Sequence, residues 1–81
     1  MKSFNGKVAV ITGAASGFGR EFARLGARLG MKLVLADVQR EALDATADEL
    51  RSDGAEVIAQ LCDVRKGEQV EALAQAAMQR F

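Results

Sequence analysis

The sequence has 81 residues, of which 49% are hydrophobic and 27% are charged, and its 11 basic residues balance 11 acidic ones. This length allows one small domain, and the composition predicts a packed core rather than a disordered chain. The zero net charge gives no electrostatic reason to expect nucleic acid or an anionic membrane as a partner. A single cysteine, Cys62, and the lack of histidine exclude an internal disulfide framework and argue against a zinc site.

The N-terminal segment, MKSFNGKVAV, contains a lysine but no apolar run long enough for a signal peptide. No stretch of the sequence approaches the length and hydrophobicity of a membrane span. We therefore expect a soluble, cytoplasmic protein without a membrane partner.

Apolar runs alternate with amphipathic segments along the chain. Runs at 7–12, 33–37 and 56–62 predict buried strands, and helical spacing of apolar residues predicts helices over 17–29, 39–53 and 67–81. The order β-α-β-α-β-α implies one α/β domain over residues 1–81, with a parallel sheet and right-handed crossovers. We predict a Rossmann-like fold with strand order 3-2-1 and the first two helices on one face, a doubly wound sheet truncated before its fourth strand.

The same spacing predicts which side of each helix is buried. In the first helix the expected core-facing residues are Phe18, Phe22, Leu25 and Leu29. The opposite stripe, Arg20, Arg24 and Arg28, is interpreted as a solvated face rather than a nucleic-acid surface. The acidic residues of the second helix are likewise interpreted as a solvated face, so no metal site is predicted. In the third helix, Met78 and Phe81 are expected in the core.

A glycine-rich octapeptide, TGAASGFG, joins the first strand to the first helix, with glycines at 13, 17 and 19. Glycine is favoured where φ is positive or where a ligand approaches the backbone closely. The N–H groups and the positive dipole end of a helix at this position suit a pyrophosphate. A tight turn alone would also explain the glycines, so this pattern needs support from elsewhere in the chain.

Asp37 provides that support, because it ends the second strand about 20 residues beyond the glycines, as the dinucleotide-binding fingerprint requires. A carboxylate there can accept both hydroxyls of an adenosine ribose, and its charge would repel a 2′-phosphate. Val38 follows and offers no cation to such a phosphate. The sequence therefore favours NAD over NADP, although Asp37 could instead cap the second helix.

The segments FNGKVAVITGAASGFG, LVLADV and CDV together resemble the opening of the short-chain dehydrogenase/reductase family, and the resemblance runs from Phe4 to Phe81. It implies an enzyme that transfers a hydride between NAD and an alcohol or carbonyl substrate. The residues that it implies around the pyrophosphate and the nicotinamide-side ribose are Gly13, Ser16, Gly17, Phe18 and Gly19. It further implies that Asp37 and Val38 hold the adenosine ribose and that Asp63 and Val64 contact the adenine. Asp63 is also a candidate cap for the third helix.

The family's catalytic residues have no counterpart in this sequence. The family uses a Tyr-x-x-x-Lys pair with an upstream serine and an asparagine, whereas this chain has no tyrosine and its only asparagine is Asn5. We therefore predict no catalytic residue and interpret the chain as the NAD-binding first third of such an enzyme. The alternatives are a stand-alone nucleotide-binding module and an interaction protein that has lost its ligand.

The first strand would lie at an edge of the sheet when no fourth strand follows. Unpaired backbone beside an apolar surface favours pairing with another chain. We therefore expect self-association of two copies along residues 8–12.

Overall fold

The structure, a computed structural model, describes residues 4–81. Residues 1–3, which belong to the predicted domain, lie outside the described residues. The elements are β1 (Val8–Thr12), α1 (Gly17–Arg28), β2 (Lys32–Asp37), α2 (Arg40–Ser52), β3 (Val57–Leu61) and α3 (Gly67–Arg80). All six predicted elements are confirmed, and every end lies within one residue of its predicted position. Among the described residues, no helix has both the length and the apolar character needed to cross a lipid bilayer.

The strands form one parallel sheet in the order β1-β2-β3. The central strand is therefore β2, and β1 and β3 are the two edge strands. The predicted order 3-2-1 places the same strands side by side, counted from the β3 edge. In the register of the sheet, Val10 lies opposite Val34, and Leu35 lies opposite Ala59. Because both faces of the central strand are covered, the four β2 residues from Leu33 to Ala36 are buried.

The helices cover the two faces unequally. Residues of α1 and α2 pack on one face, where Ala23, Leu43 and Leu50 join Leu33 and Leu35 in the larger core cluster. This confirms the prediction that the first two helices share a face. The other face has a smaller cluster, formed by Val34, Ala36, Cys62 and Leu73. Ala77 of α3 and Phe81, which follows α3, pack against it. Cys62 is thus a buried core residue.

The predicted core-facing stripe of α1 is wrong, because Phe18, Phe22, Leu25 and Leu29 are all exposed. The residues of α1 that are buried are the small ones, Ala23 and Gly26. A Cβ on Gly26 would lie 2.8 Å from Cδ2 of Leu33, so a larger side chain there would have to displace the buried Leu33. The packing of α1 is therefore decided by small residues, and its large apolar side chains lie on the flank.

The arginine stripe of α1 is not simply solvated, since two of its members bind α2. Arg20 Nε donates to the buried Thr46 Oγ1 at 3.2 Å, and Arg24 donates to both carboxylate oxygens of Glu49 at 2.7 and 3.0 Å. The hydrogen bond from Arg24 lowers the pKa of Glu49. These contacts fix α1 beside α2, which explains why the apolar flank of α1 is turned away from α2.

The third helix makes the least contact with the core. Leu73 is its one buried residue in the described chain, and Met78, predicted in the core, is 80% exposed. Phe81, by contrast, packs against the smaller cluster, with Lys32 Nζ 5.7 Å from its ring centroid.

Candidate functional site

Three glycines shape the loop from β1 to α1, for two geometric reasons. Gly13 and Gly17 have φ of +66° and +59°, a conformation in which other residues are strained. Gly19 lies in the first turn of α1, where an added Cβ would overlap the carbonyl oxygen of Gly13 and lie 2.6 Å from its carbonyl carbon. The sequence thus allows the start of α1 to pack directly on the loop that precedes it.

The start of α1 is suited to an anion. Ser16 is the N-cap residue, but its side chain makes no capping hydrogen bond, and the first turn of the helix contains no acidic residue. The first N–H groups of a helix have no partner within the helix, and its dipole is positive at this end. No carboxylate from the first turn competes for these groups, so a phosphate can bind them.

Asp37 joins the end of β2 to the glycine loop. Its Oδ2 accepts a hydrogen bond from the Ala15 N–H at 3.0 Å, and its Oδ1 accepts one from the Gln39 N–H at 3.1 Å. Gln39 is the N-cap of α2, so Asp37 shapes the turn into that helix without bonding the N–H groups of its first turn. The carboxylate is thereby held at the carboxyl end of the sheet, beside the loop.

Asp63 lies two residues beyond the end of β3, also at the carboxyl end of the sheet. Its Oδ1 accepts from the backbone N–H and from Nε of Arg65, both at 3.0 Å, and its Oδ2 accepts from Arg65 Nη2 at 2.9 Å. The side-chain and backbone hydrogen bonds from Arg65 lower the pKa of Asp63 to about 2.

Asp63 does not cap the third helix, contrary to one reading of the sequence. The N-cap of α3 is Lys66, three residues further along, and it makes no side-chain cap. Gln69, in the first turn, instead reaches back, and its Oε1 accepts the Asp63 N–H at 2.8 Å. Asp63 therefore fixes the turn before the helix through Arg65, rather than the first turn of the helix itself.

A cavity of about 410 Å³ lies where these loops meet, at the carboxyl end of the sheet. Its lining residues are Thr12, Gly13, Asp37, Val38, Cys62, Asp63, Val64 and Arg65. The structure therefore brings together five of the predicted site residues: Gly13, Asp37, Val38, Asp63 and Val64.

The other four predicted residues, Ser16 to Gly19, lie at the start of α1 and do not line this cavity. Gly17 and Phe18 line a second depression with Arg20, Glu21 and Arg24. Phe18 is 84% exposed, so nothing in the described chain crowds against it.

Sequence analysis did not identify Thr12 and Arg65 of the cavity wall or Ala15 of the glycine loop as site residues. Ala15 contributes a backbone N–H, which leaves no mark in the sequence. Arg65 carried a usable signal, since a donor two residues after an aspartate suits the local turn that Asp63 makes.

Comparisons with known proteins agree on one family. Its model, described as short chain dehydrogenase, matches residues 7–81. A CLA biosynthesis dehydrogenase/reductase of Lactiplantibacillus plantarum is 42% identical over 81 residues, covering 100% of this chain and 28% of that protein. The 7alpha-hydroxysteroid dehydrogenase of Escherichia coli K12 is 34% identical over 77 residues, covering 95% of this chain and 30% of that protein.

Among solved structures, a short chain dehydrogenase/reductase from Burkholderia phymatum in complex with NAD is similar over the whole of this chain. The identity is 64% and the TM-score is 0.97, and the match covers 100% of this chain and 29% of that one. This chain therefore spans less than a third of the length of these relatives.

Proposed function

Since the chain belongs to the short-chain dehydrogenase family, we propose that it is the NAD(H)-binding N-terminal part of such an enzyme. The observation that carries this proposal is the position of the Asp37 carboxylate, 3.0 Å from the Ala15 N–H of the glycine loop and in the wall of the cavity. Dinucleotides bind outside the carboxyl ends of the strands in open α/β sheets, which is where this cavity lies.

The residues present fit a dinucleotide. Because Gly19 has no Cβ, the Gly13 backbone packs directly against the start of α1. The first turn of α1 carries no acidic residue that would repel a phosphate. Gly13, Ser16, Gly17 and Gly19 would then lie along the pyrophosphate, and Phe18 on the nicotinamide side. Asp37 and Val38 would hold the adenosine ribose, while Asp63 and Val64 would contact the adenine.

We propose NAD rather than NADP as the cofactor. An ionised Asp37 accepts hydrogen bonds from ribose hydroxyls and repels a phosphate attached to the same ribose. Val38, the next residue along the cavity wall, carries no charge that could offset this repulsion.

For the whole enzyme we propose hydride transfer between NAD and an alcohol or carbonyl substrate, the dinucleotide carrying the hydride. The chain itself would bind the cofactor without turning substrate over, because its sequence has no tyrosine to serve as the family's acid or base. A cytoplasmic location remains a prediction from the sequence.

A second candidate role, self-association, is favoured by the exposed edge strand β1, whose Val8 and Val10 are 42% and 49% exposed. Phe22, Leu25 and Leu29 of α1 add further exposed apolar surface. Two copies that pair along β1 would satisfy its backbone and cover part of this surface. Size-exclusion chromatography with light scattering tests this, and a clean monomer at micromolar concentration would rule it out.

The cofactor proposal is tested by calorimetric titration of the chain with NAD and with NADP. We expect NAD to bind more tightly, and Asp37→Ala to weaken NAD binding by about tenfold or more, because hydrogen bonds to a charged acceptor are lost. Asp44→Ala removes an exposed acid from α2 and should leave binding unchanged. The absence of heat with either dinucleotide would refute binding, and tighter NADP would refute the choice of cofactor.

A further inference from the structure

Arg65 is the one cationic residue among those that line the cavity. Its side chain is 86% exposed, whereas that of Asp63 is only 17% exposed. An exposed arginine is normally free to adopt many conformations. Here Nε and Nη2 of Arg65 donate to the two carboxylate oxygens of Asp63, and these two hydrogen bonds orient the guanidinium.

An arginine beside the adenosine end of a dinucleotide cavity is the group that would recognise a 2′-phosphate. The planar guanidinium presents its N–H groups as a fork that matches carboxylate or phosphate oxygens at two points. In this chain the fork is already occupied by Asp63. The Cys62 N–H donates to the Asp37 carbonyl at 3.0 Å, so the end of β3, and with it this ion pair, is held directly beside the strand end that carries Asp37.

We propose that Asp63 is a cofactor-specificity residue, which holds Arg65 away from the position where it would bind a 2′-phosphate. The inference rests on the proposed function. It assigns two different tasks to the two carboxylates: Asp37 repels the 2′-phosphate directly, and Asp63 withholds the cation that would attract it.

The local turn does not need the charge of Asp63. The bond from the Arg65 backbone N–H uses one oxygen, Oδ1, which an asparagine side chain also provides. The second oxygen and the negative charge act on the Arg65 guanidinium. Asp63→Asn therefore separates the turn from the ion pair, and Asp63→Ser, whose hydroxyl also accepts a backbone hydrogen bond, provides a second variant if the first folds poorly.

The test measures affinities of the full chain for 5′-AMP and for adenosine 2′,5′-bisphosphate, which differ by the 2′-phosphate. We expect Asp63→Asn to shift the ratio of affinities toward the bisphosphate by about three- to tenfold at low salt, as a partly exposed arginine–phosphate contact allows. In the double variant Asp63→Asn with Arg65→Gln, the ratio should return to that of Arg65→Gln alone. Asp48→Asn breaks another aspartate–arginine pair, with Arg51 in α2, and should leave the ratio unchanged.

An unchanged ratio in a folded Asp63→Asn variant would overturn the inference. A shift that persists in the double variant would overturn it as well, because the effect would then come from the lost negative charge and not from Arg65. If the wild-type chain binds neither nucleotide, the proposed function fails and this inference falls with it. If the wild type binds 5′-AMP but Asp63→Asn does not change the ratio of the two affinities, the proposed function stands and this inference alone fails.

Discussion

Val57 at the β3 edge of the sheet is buried, whereas Val8 and Val10 at the β1 edge are 42% and 49% exposed. The two strands are similar in length and in apolar character, so composition does not explain the difference. At the β3 edge, Arg51 of α2 donates from Nε and Nη2 to the Val57 carbonyl at 3.2 and 3.0 Å. Val57 is the one buried residue of β3, and Leu61 at its other end is 38% exposed, so the contacts from α2 cover only the start of this edge strand.

The two ends of the candidate site also differ in how far the chain covers them. The residues proposed for the adenosine end lie around β2 and β3 and share one cavity. Phe18, proposed for the nicotinamide end, is exposed like the other large apolar side chains of α1. The chain thus supplies walls for the adenosine end of the proposed ligand and leaves the reactive end open.

The largest expected difference between the centre and the open edge of the sheet is in stability. Leu35→Ala deletes a fully buried side chain of β2 and should lower the free energy of unfolding by about 2–5 kcal/mol. Val10→Ala, at a half-exposed position of β1, should cost less than about 1 kcal/mol because little apolar surface is lost from the core. Urea unfolding followed by circular dichroism measures both. Equal losses would indicate that the β1 edge is covered in solution.

A smaller effect is expected where β1 leads into α1. Gly19→Ala places a methyl group against the Gly13 backbone and should destabilise the chain by about 1–3 kcal/mol, as overpacking does, and weaken NAD binding. Gly67→Ala is the matched control, because a Cβ there meets open space at the first position of α3. It should be neutral or stabilise by up to about 1 kcal/mol. Thermal unfolding of both variants would contradict this account if Gly19→Ala were as stable as Gly67→Ala.

The sequence predicted the elements well because strand and helix periodicity survive even in a small domain. Asp37, Val38, Asp63 and Val64, which the family resemblance implied, line one cavity because parallel pairing brings the ends of β2 and β3 together. Their roles toward a nucleotide stay a prediction. The buried side of α1 could not be predicted in the same way. Hydrophobic patterns pick out large apolar side chains, whereas this helix packs through Gly26 and Ala23.

The smallest expected effect concerns the end of β3, where the Asp63–Arg65 pair should make the free energy of unfolding depend on pH in the acid range. The pKa of Asp63 lies at about 2 in the folded chain, below its ordinary value of 3.8, so the folded state favours the ionised form. The stability that results is fully present above the unfolded pKa and is lost as the pH falls from about 4 toward 2. Asp63→Asn should remove this part of the pH dependence, whereas Asp48→Asn in α2 should retain it. Urea midpoints of the wild type and both variants, measured from neutral pH down to pH 2, would refute the role of the pair if the Asp63→Asn and wild-type curves ran parallel.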